Sequence, residues 1–229
     1  MWRTHFHADY IGGELSYYNK QLLNYPYVKN GMKKLVVAIW LIFLFGAAVA
    51  LFWYNEFVYQ LPTPVPKNYT PVYQGQFISL GGQLKKENKQ PVFLHFFNPD
   101  CACSRFNITV FKSLVKQYGS QVKFAVVVLN NSYYTARQIQ DKLGLNIPVT
   151  FDQSIARACG VYSTPQVALL NSRHELYYRG NYNRSRYCTN EKTNYAAIAI
   201  KGILGMQPKL AFNQLALRAY GCRLPDCNK

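Results

Sequence analysis

Residues 91–119 read PVFLHFFNPDCACSRFNITVFKSLVKQYG, and the reading of this stretch decides the fold. Pro91 to Phe97 form a short apolar run rich in aromatics and bounded by polar residues, the pattern of a buried strand. From Cys101 the period changes. Phe106, Val110 and Leu114 recur every fourth residue with Lys112, Lys116 and Gln117 between them, which predicts an amphipathic helix ending near Tyr118-Gly119. Cys101 and Cys103 therefore sit where a buried strand hands over to a helix. A thiol there meets unsatisfied backbone N–H groups and the positive end of the helix dipole, both of which stabilise thiolate. Thiolate is the attacking species in disulfide exchange, so this is a position for a reactive cysteine. Arg105, one turn beyond Cys101, reinforces the effect, and Asp100 opposes it.

Working toward the C-terminus, Val122 to Leu129 predicts a second buried strand. A helix is expected from Ser132, as its cap, to Leu143, with Gly144 as the stop. Val149-Thr150-Phe151-Asp152 and then a short helical stretch to Cys159-Gly160 follow. Gln166 to Leu170 and Glu175 to Arg179 read as two strands joined by Asn171-Ser172-Arg173-His174. Lys192 to Leu204 reads as a last helix, closed by Gly205. The order β-α-β-α followed by β-β-α implies an α/β domain with a mixed central sheet and helices on both faces.

Here the sequence resembles the thioredoxin superfamily. Members place a cysteine motif at this junction five residues after a strand phenylalanine, as Phe96 and Cys101 are spaced. They also carry a cis-proline after Thr or Val before the next strand, which Thr164-Pro165-Gln166 matches. The likeness covers roughly Gly75 to Gly180. It implies a thioredoxin-like fold and thiol–disulfide oxidoreductase activity on protein disulfides. In that activity Cys101 attacks from an exposed sulfur, Cys103 resolves the mixed disulfide, and Pro165 with Thr164 shapes the docking groove. No cofactor or metal is required, and an electron donor or acceptor of unstated identity is. His95 stands where thioredoxin has a buried acid beneath its cysteines, so the resemblance gives it a part in proton removal from the resolving thiol; a core histidine satisfied by hydrogen bonds is the alternative. The departures are specific: Ser104 stands at the usual second cysteine, Cys103 at the usual proline and Asp100 at the usual tryptophan. The form D-C-x-C-S-R-F-N looks like that of a smaller group of membrane-anchored redoxin-like proteins.

Cys101 and Cys103 are too close in sequence for a bridge between them to stabilise the fold through loop closure. Copper handling stays open, because thiolates suit Cu(I). A peroxidase is disfavoured by Asn98, which stands where the peroxiredoxins have threonine. Cys188, Cys222 and Cys227 lie in a tail rich in Tyr, Asn and Arg. There Cys222 is expected to pair with Cys227 or Cys188, and Cys159 reads as a small buried apolar residue.

The N-terminal side carries a membrane signal. Leu35 to Trp53 (LVVAIWLIFLFGAAVALFW) holds no charge and no proline and is long enough to cross a bilayer. Lys29, Lys33 and Lys34 precede it, which by the positive-inside rule puts residues 1–34 in the cytoplasm. Residues 35–54 then form an uncleaved transmembrane helix, although Ala48-Val49-Ala50 has the form of a signal-peptide cleavage site. Residues 55–74 form a Pro-rich linker whose Leu61 to Pro66 favours polyproline II. Residues 75–229 form the extracytoplasmic domain with its Cys-containing extension, periplasmic if the source is bacterial. The chain has 26 Lys and Arg against 10 Asp and Glu, a formal charge of +16, which favours acidic or membrane partners. No zinc-finger spacing and no RNA-binding aromatic motif is present, so nucleic acid is not an expected partner.

Overall fold

The computed structural model describes residues 11–57, 60–81, 84, 90–129, 133–185, 187–206 and 211–224. The chain divides into two units, Met1–Phe57 and Val58–Lys229. The first unit holds α1 (Ile11–Phe52), which closes in a π-helical turn at Trp53–Phe57. Over Asn30–Phe57 this helix is long and apolar enough to cross a membrane, and large side chains such as Trp40, Phe43 and Phe45 stand exposed along it.

In the second unit β1 (Val92–Phe97) is buried at every residue because both faces of the sheet are covered. It leads through Cys101 into α2 (Ala102–Phe106) and α3 (Ile108–Tyr118). The single helix expected here is broken at Asn107. Then follow β2 (Lys123–Val128), α4 (Ala136–Leu143), β3 (Val149–Thr150), α5 (Ser154–Ala158), β4 (Ser163–Thr164), β5 (Gln166–Leu170) and β6 (Leu176–Gly180). The chain continues through α6 (Tyr195–Ile203), α7 (Gln214–Leu217) and β7 (Cys222–Arg223).

The main sheet has the order β3-β2-β1-β5-β6. β1 pairs in parallel with β2, as β2 does with β3, while β5 is antiparallel to both β1 and β6. Alternation along β1 sends Phe93 and Phe97 toward Phe111 and Leu114 of α3 and Ala199 of α6. Leu94 and Phe96 go to the opposite layer with Ile155 and Ile78. This is the thioredoxin-like mixed sheet expected of the sequence.

Some boundaries differ from expectation. Ser132 lies outside the described residues. α4 begins at Ala136, where Thr135 and Gln138 form a reciprocal capping box. Gly144 ends α4 in the left-handed region, φ 59°. Gly144→Ala is expected to cost about 1 kcal/mol of unfolding free energy, read as a lower denaturant midpoint at unchanged slope. α6 starts at Tyr195 because the Asn194 side chain accepts from the Ala197 N–H. The stretch expected as a spacer is docked on the domain: Thr63 is buried, its N–H donates to the Ala219 carbonyl at 2.8 Å, and Tyr69 donates to the Gly160 carbonyl at 3.1 Å.

A three-cysteine candidate active site

The turn between β1 and α2 is built by short polar side chains. The Asp100 N–H donates to Asn98 Oδ1 at 3.0 Å and the Cys101 N–H to the Asn98 carbonyl at 3.1 Å, while Ser104 Oγ accepts from the Asn98 N–H at 3.3 Å. This Asx-type turn leaves Cys101 at the N-cap of α2 with extended backbone, φ −84° and ψ 121°, and with no hydrogen bond from its side chain to the cap. One turn on, Asn107 Nδ2 donates to the Cys103 carbonyl at 3.0 Å, and Asn107 Oδ1 accepts from the Cys188 thiol at 2.9 Å. Asn107 thus breaks the helix and fixes the Cys103 turn from one side.

The other wall is β4. The Thr164–Pro165 peptide is cis, as the resemblance implies, and Thr164 is fully buried. β4 pairs antiparallel with β7, placing Ser163 opposite Arg223 and Thr164 opposite Cys222. That register delivers Cys222 to Cys101, and the two form a disulfide. The Cys103 sulfur completes a triangle, with all three sulfurs within 4.8 Å of one another.

Two expectations are corrected here. The Cys101 sulfur is not exposed: the residue is 1 % accessible, because the C-terminal segment closes over it. Cys222 does not pair with Cys188, whose thiol faces Asn107, nor with Cys227, which lies outside the described residues. The observed bridge is therefore Cys101–Cys222 rather than Cys101–Cys103, with Cys103 kept as a thiol alongside.

The tail reaches the site through anchors that sequence reasoning missed. Asn181 Nδ2 donates to the Leu215 and Arg218 carbonyls at 2.8 and 2.6 Å, and Tyr178 donates its hydroxyl to the Asn181 carbonyl at 2.7 Å. Thr63 Oγ1 hydrogen-bonds Ser163 Oγ and the Gly221 carbonyl, each at 3.0 Å. Thr63 between two prolines was the available signal, a polar residue in a segment otherwise read as spacer.

The remaining candidates are dispersed. Arg105 lies on the exposed face of α2. Asp100 accepts from the Tyr134 hydroxyl at 3.0 Å. His95 is fully buried, stacked 4.4 Å from Phe111, with Nδ1 2.6 Å from the Tyr182 hydroxyl and Nε2 without a hydrogen-bond partner. Burial pulls its pKa down to about 3, so it is a neutral core residue and a weak base at neutral pH. Cys159 and Cys188 have thiols pushed up to about 12 by burial, which makes both poor nucleophiles.

Three parallel strands extended by two that run antiparallel to their neighbours, with a cysteine at the strand–helix junction and a cis Thr164–Pro165 step before β5, define a protein of thioredoxin-like fold. The chain belongs to a family described as a domain of unknown function (DUF6436), which matches residues 72–226. No curated protein matches it. Among solved structures it is similar to a hypothetical protein from Sinorhizobium meliloti 1021, with 15 % identity, 69 % of this chain and 96 % of that one covered, and a TM-score of 0.56. An uncharacterized conserved protein from Geobacillus kaustophilus gives 19 % identity, 67 % and 93 % coverage, and a TM-score of 0.51. A thioredoxin-like protein in its oxidized form gives 12 %, 64 % and 98 %, with a TM-score of 0.42. The first two likenesses concern the fold alone and do not extend to an activity.

Proposed function

We propose that the protein is a membrane-anchored thiol–disulfide oxidoreductase acting on protein disulfides outside the cytoplasm. The observation that carries this reading is the sulfur triangle: Cys101, Cys103 and Cys222 lie within 4.8 Å of one another, beside the cis Thr164–Pro165 peptide. In the reduced protein the Cys101 thiolate attacks a partner disulfide, forming a mixed disulfide and releasing one partner thiolate. Cys103 then attacks the Cys101 sulfur, closes Cys101–Cys103 and releases the second partner thiolate. The electron pair passes to the partner, and a dithiol donor restores the protein; the reverse sequence oxidises a partner dithiol. Arg105 supplies positive charge near the mouth, and Pro165 with Thr164 forms the wall against which the partner lies.

The 35–54 helix anchors the domain, with residues 1–34 inside and the domain outside, because Lys29, Lys33 and Lys34 precede the apolar run. A persistent disulfide suits an oxidising compartment.

The test follows from the geometry. Cys222 and Cys103 both have their sulfurs within 4.8 Å of that of Cys101, so either thiol can resolve a mixed disulfide. The double variant Cys103→Ser, Cys222→Ser in the full-length chain is expected to accumulate reductant-sensitive adducts with partner proteins in membranes. Adding Cys101→Ser removes them. Absence of such adducts while the Cys101 thiol is intact overturns the proposal.

A second reading rests on the same triangle. Three thiolates at this separation suit Cu(I). That reading requires stoichiometric Cu(I) uptake by the reduced protein, lost in Cys101→Ser, with negligible exchange activity.

A further inference from the structure

The last stretch of described chain does more than bring a third cysteine to the site. With the tail in place Cys101 is 1 % accessible, so a partner sulfur reaches it only by taking the position that Cys222 holds. A partner that takes that position also meets the backbone edge on which the tail lies. We propose that residues 219–224 are an internal substrate strand, occupying the β4 edge and the sulfur position that a partner's extended, cysteine-bearing chain takes during exchange. The inference rests on the oxidoreductase reading and names the substrate class for that site.

Three observations define the occupant. The tail is extended and antiparallel to β4, with Thr164 opposite Cys222 and the Leu224 N–H directed at the Tyr162 carbonyl at 3.4 Å. Its other side is gripped by Thr63, through the Ala219 and Gly221 carbonyls. At Gly221 the two backbones approach so closely that a Cβ would run into the Thr164 carbonyl and stand 2.9 Å from Ser163 Oγ. The slot thus takes an extended segment, reads it by main-chain hydrogen bonds, and demands glycine immediately before the cysteine. The partner is accordingly an exposed strand or unfolded segment carrying Gly-Cys.

Release of the tail is an exchange without net oxidation. The Cys103 thiolate attacks the Cys101 sulfur; the Cys101–Cys103 bond forms and the Cys101–Cys222 bond breaks. Cys222 leaves with the electron pair and takes up a proton equivalent to the one Cys103 gave. The arm beyond Arg218, whose carbonyl Asn181 holds at 2.6 Å, is then bound by hydrogen bonds and by the packing of Ala219 and Leu224, with no covalent tie to Cys101, and yields the edge to a partner. Cys222 is in this view a displaceable stand-in for partner sulfur on Cys101 and is not needed for the exchange itself.

The test uses the full-length chain in detergent, reduced, with Cys222→Ser to leave the tail uncrosslinked. The probe is the peptide Arg-Ala-Tyr-Gly-Cys-Arg-Leu, the sequence of residues 218–224, with its cysteine held as a mixed disulfide with thionitrobenzoate. Release of coloured thiolate reports its reaction with Cys101. The glycine peptide is expected to react at least about tenfold faster than the same peptide with valine in place of glycine, since the valine breaks the strand hydrogen bonds. Adding Gly221→Val to the protein, which displaces its own tail, is expected to speed the glycine peptide further. On the chain with all its cysteines, Gly221→Val alone shifts the mapped disulfide from Cys101–Cys222 to Cys101–Cys103. Equal rates for the two peptides, with exchange of bis(2-hydroxyethyl) disulfide intact, overturn this inference alone. Failure of the small disulfide to react at Cys101 overturns the oxidoreductase reading and this inference with it.

Discussion

Cys101→Ser in the full-length chain is expected to reduce exchange with a protein disulfide to background, on the order of a thousandfold or more. The reason is geometric and not only chemical. Cys101 is the sulfur that sits at the helix N-cap and is bonded across to β7, so both proposed exchanges, with Cys103 and with Cys222, run through it. The variant still holds two thiols within 4.8 Å of each other, and oxidation is expected to join Cys103 to Cys222 without restoring turnover. A stability effect must be separated from this one. The Cys101–Cys222 bridge spans 121 residues, and its loss is expected to cost about 2–5 kcal/mol through the unfolded chain. With both variants held reduced, Cys222→Ser lacks the same bridge but keeps Cys101 and Cys103, so it retains measurable exchange at the same lowered stability. Insulin reduction assayed beside urea unfolding of both variants distinguishes the two. If Cys101→Ser and Cys222→Ser fall equally in activity, the assignment of Cys101 as nucleophile is wrong.

The two halves of this site were unequally legible in the sequence. The β1–α2 junction and the Thr164–Pro165 step are local signals: a change of hydrophobic period at Cys101 and a proline before an apolar run. Both are found where they were expected. The partner of Cys101 is a different kind of fact. β7 is two residues long, too short to show alternation, and its pairing with β4 closes a span of roughly sixty residues that no local pattern encodes. Cysteine counting raised Cys222 as a bridge candidate but assigned it to neighbours in the chain. The break at Asn107 was hidden for a related reason. Phe106, Val110 and Leu114 keep helical spacing across it, while the break follows from where Asn107 hydrogen-bonds in three dimensions, to Cys103 and Cys188. His95 was visible as a strand histidine, but its partner Tyr182 lies 87 residues away.

That histidine gives the largest pH effect expected of the domain. Its pKa is pulled from 6.5 to about 3 by burial, with Phe111, Phe97 and Tyr182 around the ring. The unfolded chain therefore binds a proton on His95 between roughly pH 6.5 and pH 3 that the folded chain refuses, and stability rises with pH across that window. The contribution is fully present above the unfolded pKa and is lost as pH falls toward the folded one. Each pH unit within the window costs about 1.4 kcal/mol, and the loss between pH 7 and pH 4 is roughly 3 kcal/mol. Against a total of about 5–15 kcal/mol for an ordinary domain, that is a large fraction. His95→Leu removes this proton and should flatten the acid limb. At neutral pH it costs about 1–3 kcal/mol, because the buried Tyr182 hydroxyl loses its partner. Urea midpoints of the two full-length proteins, oxidised and in detergent, from pH 7 to pH 4 should therefore converge and then cross. Protonation of carboxylates lowers both curves alike and cancels in the difference. Parallel curves would mean that His95 is already hydrated in the native state, and the account of a neutral histidine held dry among Phe97, Phe111 and Tyr182 would have to be abandoned.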